Sequence, residues 1–344
     1  MQKKSWNWNR FLACSEENMR NLQLQKLLER NSMSRSIEIE RERETDGTKG
    51  CCKMEKGSSG YISEFLGSIP TFLRRCLFQV LSFGPIPHHI AFILDGNRRY
   101  ARIHHLEAGM GHRYGFLALL SILKYCYELG VKYVTIYAFS IDNFKRKPDE
   151  LQYLMDLILE KLEVVLSEEN MVKQYGVKID FLGNLKLFPE PIRKAAEKVM
   201  AATAQNNGTV LLVCVAYTST DDIVHAIQGL YKEKQARIQQ TAEGKQMGDD
   251  DEPVECSGGS NLEEFSVSSA DLERHMYFAG YPDPDILIRS GGETRLSNFI
   301  LWQSTFCLLN NPKALWPDIS LWHLVWAILQ YQRVRPFFEK KKRL

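Results

Sequence analysis

Ile90-Ala91-Phe92-Ile93-Leu94 is an unbroken apolar run that stops at Asp95-Gly96-Asn97-Arg98-Arg99. A strand covered on one face alternates apolar and polar residues. A short continuous run is the pattern of a strand covered on both faces, as in parallel sheets. Similar runs return at Tyr133–Ala138, Val177–Leu182, Val210–Ala216 and Asp285–Arg289, with a short candidate at Phe306–Leu309. Between them the spacing predicts helices: from beyond Arg99 to about Gly130, from Leu151 to about Val172, and over Pro191–Ala204 and Asp221–Tyr231, with a last one over Leu321–Gln332. Strands alternating with helices predict an α/β fold with a mostly parallel central sheet flanked by helices.

Around this core the chain changes character. Residues 1–57 are polar, rich in Arg and Glu, and are expected to form a disordered extension. Residues 58–84 carry Ile62, Phe65, Leu66, Ile69, Phe72, Leu73, Leu77 and Leu81 at helical spacing, interrupted by Pro70. They read equally as an amphipathic segment lying on a membrane or partner and as a helix covering the protein's own core. The domain proper is expected over 85–335, with a polar, disordered insertion at about 232–265 that contains Asp249-Asp250-Asp251-Glu252. A basic tail, 336–344, follows.

A length of 344 residues suits one large domain with extensions. A net charge of +2 gives no case for a nucleic-acid partner. The 8 cysteines form no C-x-x-C pairs, and Cys126, Cys214 and Cys307 fall in apolar runs, which suits a reducing compartment. No segment is long and apolar enough to span a bilayer. Lys3, Lys4 and Arg10 are not followed by a signal-peptide core, and the acidic Glu38–Glu44 stretch argues against a transit peptide. The chain is therefore expected on the cytosolic side.

In parallel α/β sheets ligands bind beyond the carboxyl ends of the strands. Three clusters follow the predicted strands: Asp95-Gly96-Asn97-Arg98-Arg99, then Ser140-Ile141-Asp142-Asn143-Phe144-Lys145-Arg146, then Arg289-Ser290-Gly291-Gly292-Glu293-Thr294-Arg295-Leu296-Ser297-Asn298. Arginines make paired, charge-assisted bonds to phosphate oxygens, and glycines admit backbone N–H groups. An Asp among cations suits Mg²⁺, which commonly takes one or two carboxylates plus substrate phosphates. Singly, each cluster is better explained by a turn or a surface salt bridge; three at one sheet edge point to a diphosphate site. His112, after Gly111 at a helix start, is a further candidate. The pairs His88-His89 and His104-His105 lack supporting ligands and read as structural or surface. The acidic run at 249–252 reads as solvated charge.

His89–Ala101, Tyr137–Arg146 and Asp285–Gln303 resemble the signature motifs of cis-prenyltransferases, the undecaprenyl diphosphate synthase family. The resemblance spans about 85–333 apart from the insertion. It is nearest to the eukaryotic dehydrodolichyl diphosphate synthase type, including plant and rubber-related members. It implies that fold, and an enzyme that condenses isopentenyl diphosphate units onto farnesyl diphosphate to make long-chain cis-polyprenyl diphosphate. It also implies roles. Asp95 would hold Mg²⁺ and assist departure of the diphosphate together with Arg99. Gly96, Asn97, Arg98, Arg99 and His112, with Arg146, would bind the allylic diphosphate. Arg289, Arg295 and Ser297 would bind isopentenyl diphosphate. Asn143, held by Ser140 and Phe144, would assist proton removal. The chain would grow into an apolar tunnel under the helices near 111–129 and 148–170. Such enzymes lie peripherally on the cytosolic face of the endoplasmic reticulum membrane.

The sequence departs from the family pattern at three places. No carboxylate follows Trp302-Gln303 in Ser304-Thr305-Phe306-Cys307-Leu308, where bacterial members carry a second metal ligand. Ala108 stands where an Arg is common. The closing residues Arg333–Leu344 lack the Arg-x-Gly motif of self-sufficient members. The expectation is a heteromer, with a Nogo-B receptor-like subunit supplying Arg-x-Gly and a membrane anchor. Two rivals are weaker. A haloacid-dehalogenase-like phosphatase needs a second Asp where Asn97 stands. A non-catalytic scaffold subunit would have lost Asp95 and the arginines. Nucleotide binding lacks both G-x-x-x-x-G-K-[ST] and G-x-G-x-x-G.

Overall fold

The computed structural model describes residues 72–107, 109–167, 176–244 and 267–342. The extension 1–57, the start of the amphipathic segment, Ala108 and the 245–265 part of the insertion lie outside the described residues.

Six parallel strands form one sheet in the order β3-β4-β2-β1-β5-β6. They are β1 His89–Ile93, β2 Tyr133–Ser140, β3 Lys178–Leu182, β4 Val210–Tyr217, β5 Ile286–Arg289 and β6 Leu308–Asn310. The helices are α1 over 72–81, then α2 Asn97–Ile103, α3 Met110–Glu128, α4 Pro148–Ser167, α5 Glu190–Thr203, α6 Ser219–Gly244, α7 Ser269–Glu273 and α8 Leu321–Lys342.

The apolar run of β1 has a simple cause. Ile90 and Phe92 enter the core on one face, with Val134, Ile136, Leu211 and Val213 of the neighbouring strands. Ala91 and Ile93 enter a second core on the other face, with Leu212, Cys214 and Leu287. Strand side chains alternate in direction, so both sets must be apolar. The first face is roofed by residues of α1, α3, α4, α5 and α8, the second by Phe278, Phe299 and Cys307.

The described part of the amphipathic segment, α1, buries Phe78 and Leu81 in the core, while Phe72, Leu73 and Val80 stay exposed. Two predicted boundaries move. The insertion does not begin at 232, because α6 continues to Gly244; Lys232–Ala242 is built largely of strong helix formers. The last helix runs on to Lys342 through Pro336, so most of the expected tail, 336–344, is helical.

Strand order reverses between β1, whose chain continues towards β2, and β5, which leads away to β6. Such a switch point opens a crevice at the strand ends. Ile93 and Arg289 are paired there in register, so Asp95 and Arg289 meet at its rim.

Candidate active site

Asp95 leaves β1 and is gripped on all sides. Its N–H donates to Ser290 Oγ at 3.0 Å, and its carbonyl accepts from the Ser290 hydroxyl at 2.7 Å and from the Trp316 N–H at 2.9 Å. Its carboxylate accepts from Arg289 Nη2 at 2.7 Å and lies 3.3 Å from Arg99 Nη2. Arg289 is buried at the end of β5, its side chain only 5% exposed. It also donates to Ser297 Oγ at 2.6 Å and to the Arg295 carbonyl, while its Nε has no protein partner.

Gly96 turns the chain into α2 with φ of 116°, a conformation that favours glycine. A side chain there would meet Leu315. Gly111 admits the close approach of α2 to α3, since a Cβ would stand 2.0 Å from the Asn97 carbonyl oxygen. Neither α2 nor α3 has a side-chain cap. The first N–H groups of α2 therefore suit an anion at the crevice, whereas at the start of α3 those of Met110 and His112 are taken by the Glu107 and Gly109 carbonyls. Around these ends stand Arg98, 64% exposed and 3.4 Å from Glu150, and Arg146, which donates to Glu150 at 2.7 Å and to Asn143 Oδ1 at 3.1 Å. Burial, helped by the positive charge of Arg146, pushes the pKa of His112 down to about 4, so its ring is neutral at neutral pH. Burial and nearby Arg98 also lower that of Arg146, though it remains a cation.

Asp95, Asn97, Arg98, His112, Ser140, Asn143, Arg146, Arg289, Arg295 and Ser297 share the rim of one cavity of about 770 Å³. Below the rim its walls are apolar, with Leu119, Ile136, Leu154, Leu162, Ile179 and Val213 among them. The volume is at the upper end of the ~300–1,000 Å³ usual for small-molecule sites. A cation-rich mouth over a hydrocarbon-lined interior suits an amphiphile with an anionic head. Among the described residues no cluster of three or more His, Cys, Asp or Glu could hold a metal unaided. Asp95 with diphosphate oxygens would be an ordinary Mg²⁺ donor set.

Residues 93–338 match the family described as "Putative undecaprenyl diphosphate synthase". The chain belongs to the undecaprenyl diphosphate synthase family. This cis-prenyltransferase is 52% identical to Dehydrodolichyl diphosphate synthase 6 of Arabidopsis thaliana over 284 residues, which cover 83% of this chain and 95% of that one. It is 38% identical to the Dehydrodolichyl diphosphate synthase complex subunit Dhdds of Mus musculus, covering 80% of this chain and 76% of that one. The crystal structure of lavandulyl diphosphate synthase from Lavandula x intermedia with dimethylallyl diphosphate superimposes with a TM-score of 0.61 at 27% identity, covering 72% and 95% of the two chains. The scaffold alternative is disfavoured.

Of the predicted residues, Gly96, Arg99 and Phe144 do not line the cavity of this cis-prenyltransferase. Gly96 shapes the turn, and Arg99 donates to the Gly291 carbonyl at 3.0 Å behind Asp95. Phe144 packs against Phe139 and Phe188. The expected hold of Ser140 on Asn143 needs correcting. Ser140 Oγ accepts from the Asp142 N–H at 3.2 Å and caps the 3-10 turn Ile141–Lys145, while Arg146 holds the Asn143 amide. His89 is structural, as expected: buried, with one ring nitrogen on the Pro282 carbonyl and the other on Thr135 Oγ1. Ser290, Glu150 and Trp316 were not singled out. Glu150 could have been found four residues after Arg146, the spacing of a helical ion pair. Ser290 and Trp316 carry no local signal, because their partners are distant in sequence.

Proposed function

We propose that this cis-prenyltransferase is the catalytic subunit of a dehydrodolichyl diphosphate synthase-type complex that extends farnesyl diphosphate by isopentenyl diphosphate units. The observation that carries the reading is the Asp95–Arg289 pair at the switch point, set in a cationic rim over an apolar cavity. The allylic diphosphate lies at the starts of α2 and α3, against Arg98, Arg146 and His112. Isopentenyl diphosphate lies against Arg289, Arg295 and Ser297. The allylic C–O bond breaks and its electron pair leaves on the diphosphate. The alkene electron pair of isopentenyl diphosphate bonds its terminal carbon to the allylic carbon, leaving the internal alkene carbon cationic. The carbon between that centre and the diphosphate-bearing carbon loses a proton, its C–H electron pair forming the new double bond. Asn143, steadied by Arg146, orients the group that loses this proton; an amide is too weak a base to take it, so a diphosphate oxygen accepts it. Fixed cations aimed at the departing diphosphate act most strongly in a site shielded from water. Asp95 would hold Mg²⁺, which would neutralise charge on the diphosphate. The apolar walls receive the lengthening hydrocarbon and keep water from the reacting carbons.

Two features support a partner. A relative is named as a complex subunit. On this chain α6 exposes Val224, Ile227 and Tyr231, with Leu301 also exposed, and Leu301 N–H is bonded to Ser219 at the start of α6. Val224, Ile227 and Tyr231 recur at helical spacing on one side of α6, and an exposed apolar stripe of that kind suits an interface. The reading places the complex peripherally on the endoplasmic reticulum membrane; no described helix is long and apolar enough to cross one.

The test is co-expression with a Nogo-B receptor-like subunit and incorporation of labelled isopentenyl diphosphate with farnesyl diphosphate and Mg²⁺. The pair should incorporate label and the chain alone should incorporate little. High activity of the chain alone would remove the need for the partner, and an inactive, intact pair would refute the catalytic assignment.

A further inference from the structure

The loop that carries Ser297 is folded against its own preference. Ser297, Asn298 and Ile300 have φ of 51°, 56° and 38°. Asn tolerates this left-handed region, but for a β-branched Ile it is an outlier. Such a conformation persists only where its surroundings over-determine it. Part of the hold is burial. Phe299 and Ile300 are fully buried, and the Phe299 ring stacks on Tyr137 of β2 with centroids 4.3 Å apart.

The rest of the hold comes from the start of α6. The Ser219 N–H donates to the Asn298 carbonyl at 2.7 Å, and the Thr220 N–H donates to Asn298 Oδ1 at 3.2 Å. Asn298 Nδ2 donates to Thr220 Oγ1 at 3.0 Å, and that hydroxyl lies 3.2 Å from Asn298 Oδ1. Further along the loop, the Leu301 N–H donates to Ser219 Oγ at 2.9 Å. Thr218 takes the next N–H groups of the helix, that of Asp221 on its hydroxyl and that of Asp222 on its carbonyl. The N–H groups that a helix start leaves without an internal partner are all satisfied here. This helix start is therefore closed to an anion and acts as an anchor for the loop. Both ends of the Asn298 amide are engaged by Thr220. Next to it, the Ser297 hydroxyl and the Arg295 carbonyl both accept from Arg289 Nη1.

We propose that Asn298, through its bonds to the start of α6, is a positioning residue for isopentenyl diphosphate. It pins the loop so that Ser297 and the Arg295 carbonyl aim the Arg289 guanidinium into the cavity. This rests on the reading that isopentenyl diphosphate lies against Arg289, Arg295 and Ser297.

The experiment measures kcat and the KM of each substrate in the active complex for Thr220→Val, Thr220→Ser, Asn298→Gly and Ser297→Ala. Thr220→Val removes the hydroxyl at nearly constant shape. Asn298→Gly removes the amide and keeps the left-handed backbone. Thr220→Val should raise the KM of isopentenyl diphosphate about 2–10-fold, the weight of one hydrogen bond. Asn298→Gly should raise it at least as much, and Thr220→Ser should stay near wild type. The KM of farnesyl diphosphate should not move. A merely structural role would lower the apparent kcat through loss of folded protein and leave both KM values unchanged. That result would overturn the proposal, as would an equal rise in both KM values. Ser297→Ala tests the reading beneath it. That variant should raise the KM of isopentenyl diphosphate on its own; no rise there would overturn the placement of this substrate, and the proposal with it.

Discussion

Asp95→Ala is expected to weaken the fold as well as the chemistry. Arg289, with a side chain only 5% exposed, bonds to the Asp95 carboxylate at 2.7 Å, and its Nε has no protein partner. Removing one member of a buried ion pair costs about 3–5 kcal/mol, because the other charge is left uncompensated. Two features reduce the loss here. The Asp95 side chain is 28% exposed, so water reaches the space it leaves, and Arg289 keeps its bond to Ser297 Oγ. A loss of about 2–3 kcal/mol follows. At about 2–4 °C per kcal/mol for a domain of this size, the melting temperature should fall by about 5–10 °C. Calorimetry without diphosphate reads this directly. Adding Arg289→Met to Asp95→Ala should recover part of the loss, since the orphaned charge is removed with its partner. Incorporation should drop by about 10²–10³-fold, the usual scale for one electrostatic contact at a reacting centre. An unchanged melting temperature, or a double variant with fully additive losses, would show that the pair is not formed and would refute the argument.

Ser290→Ala should remove the hydroxyl that bonds both the N–H and the carbonyl of Asp95, costing about 0.5–1.5 kcal/mol because the N–H keeps the Ile93 carbonyl and the carbonyl keeps the Trp316 N–H, and lower the turnover rate about 10–100-fold; Ser290→Thr should restore most of both, as read by steady-state kinetics and melting curves. Acid should weaken the fold through His89, whose pKa burial lowers from 6.5 to about 4. The unfolded chain binds the proton first, so this contribution is complete above about pH 6.5 and is lost as pH falls towards 4. It amounts to about 3 kcal/mol, and urea titrations across that range should show a slope that His89→Gln flattens. His112, lowered likewise to about 4, adds to the same slope, less so because it is only half buried. Gly111→Ala should misfit α2 against α3 and destabilise the domain by about 1–3 kcal/mol in denaturant unfolding.

The sheet was legible because each buried strand is a short apolar run with no competing helical spacing. Ile90–Ile93 and Val210–Ala216 are the clearest cases, being buried on both faces throughout. Helix ends were less legible. Lys232–Ala242 is polar and reads as a loop by hydrophobicity, yet its residues favour helix and α6 runs through them. The last helix, expected to end near Gln332, runs on through Pro336 to Lys342. In the site, Asp95, Arg98, His112, Asn143, Arg146, Arg289, Arg295 and Ser297 were found because each lies near a strand end or at a helix start. What escaped was the long-range wiring. The Ser290 hydroxyl finds Asp95 across 195 positions and the Trp316 indole finds Gly115 across 201, and no local pattern records such pairings.

The most direct test of the account is the geometry of the double bonds that the enzyme makes. Farnesyl diphosphate and carbon-labelled isopentenyl diphosphate would be incubated with the active complex and Mg²⁺, and the hydrocarbon product examined by NMR. The account predicts cis double bonds in every added unit, and about 10²–10³-fold less product from the Asp95→Ala complex. Trans units in the product, or full incorporation by Asp95→Ala, would contradict it.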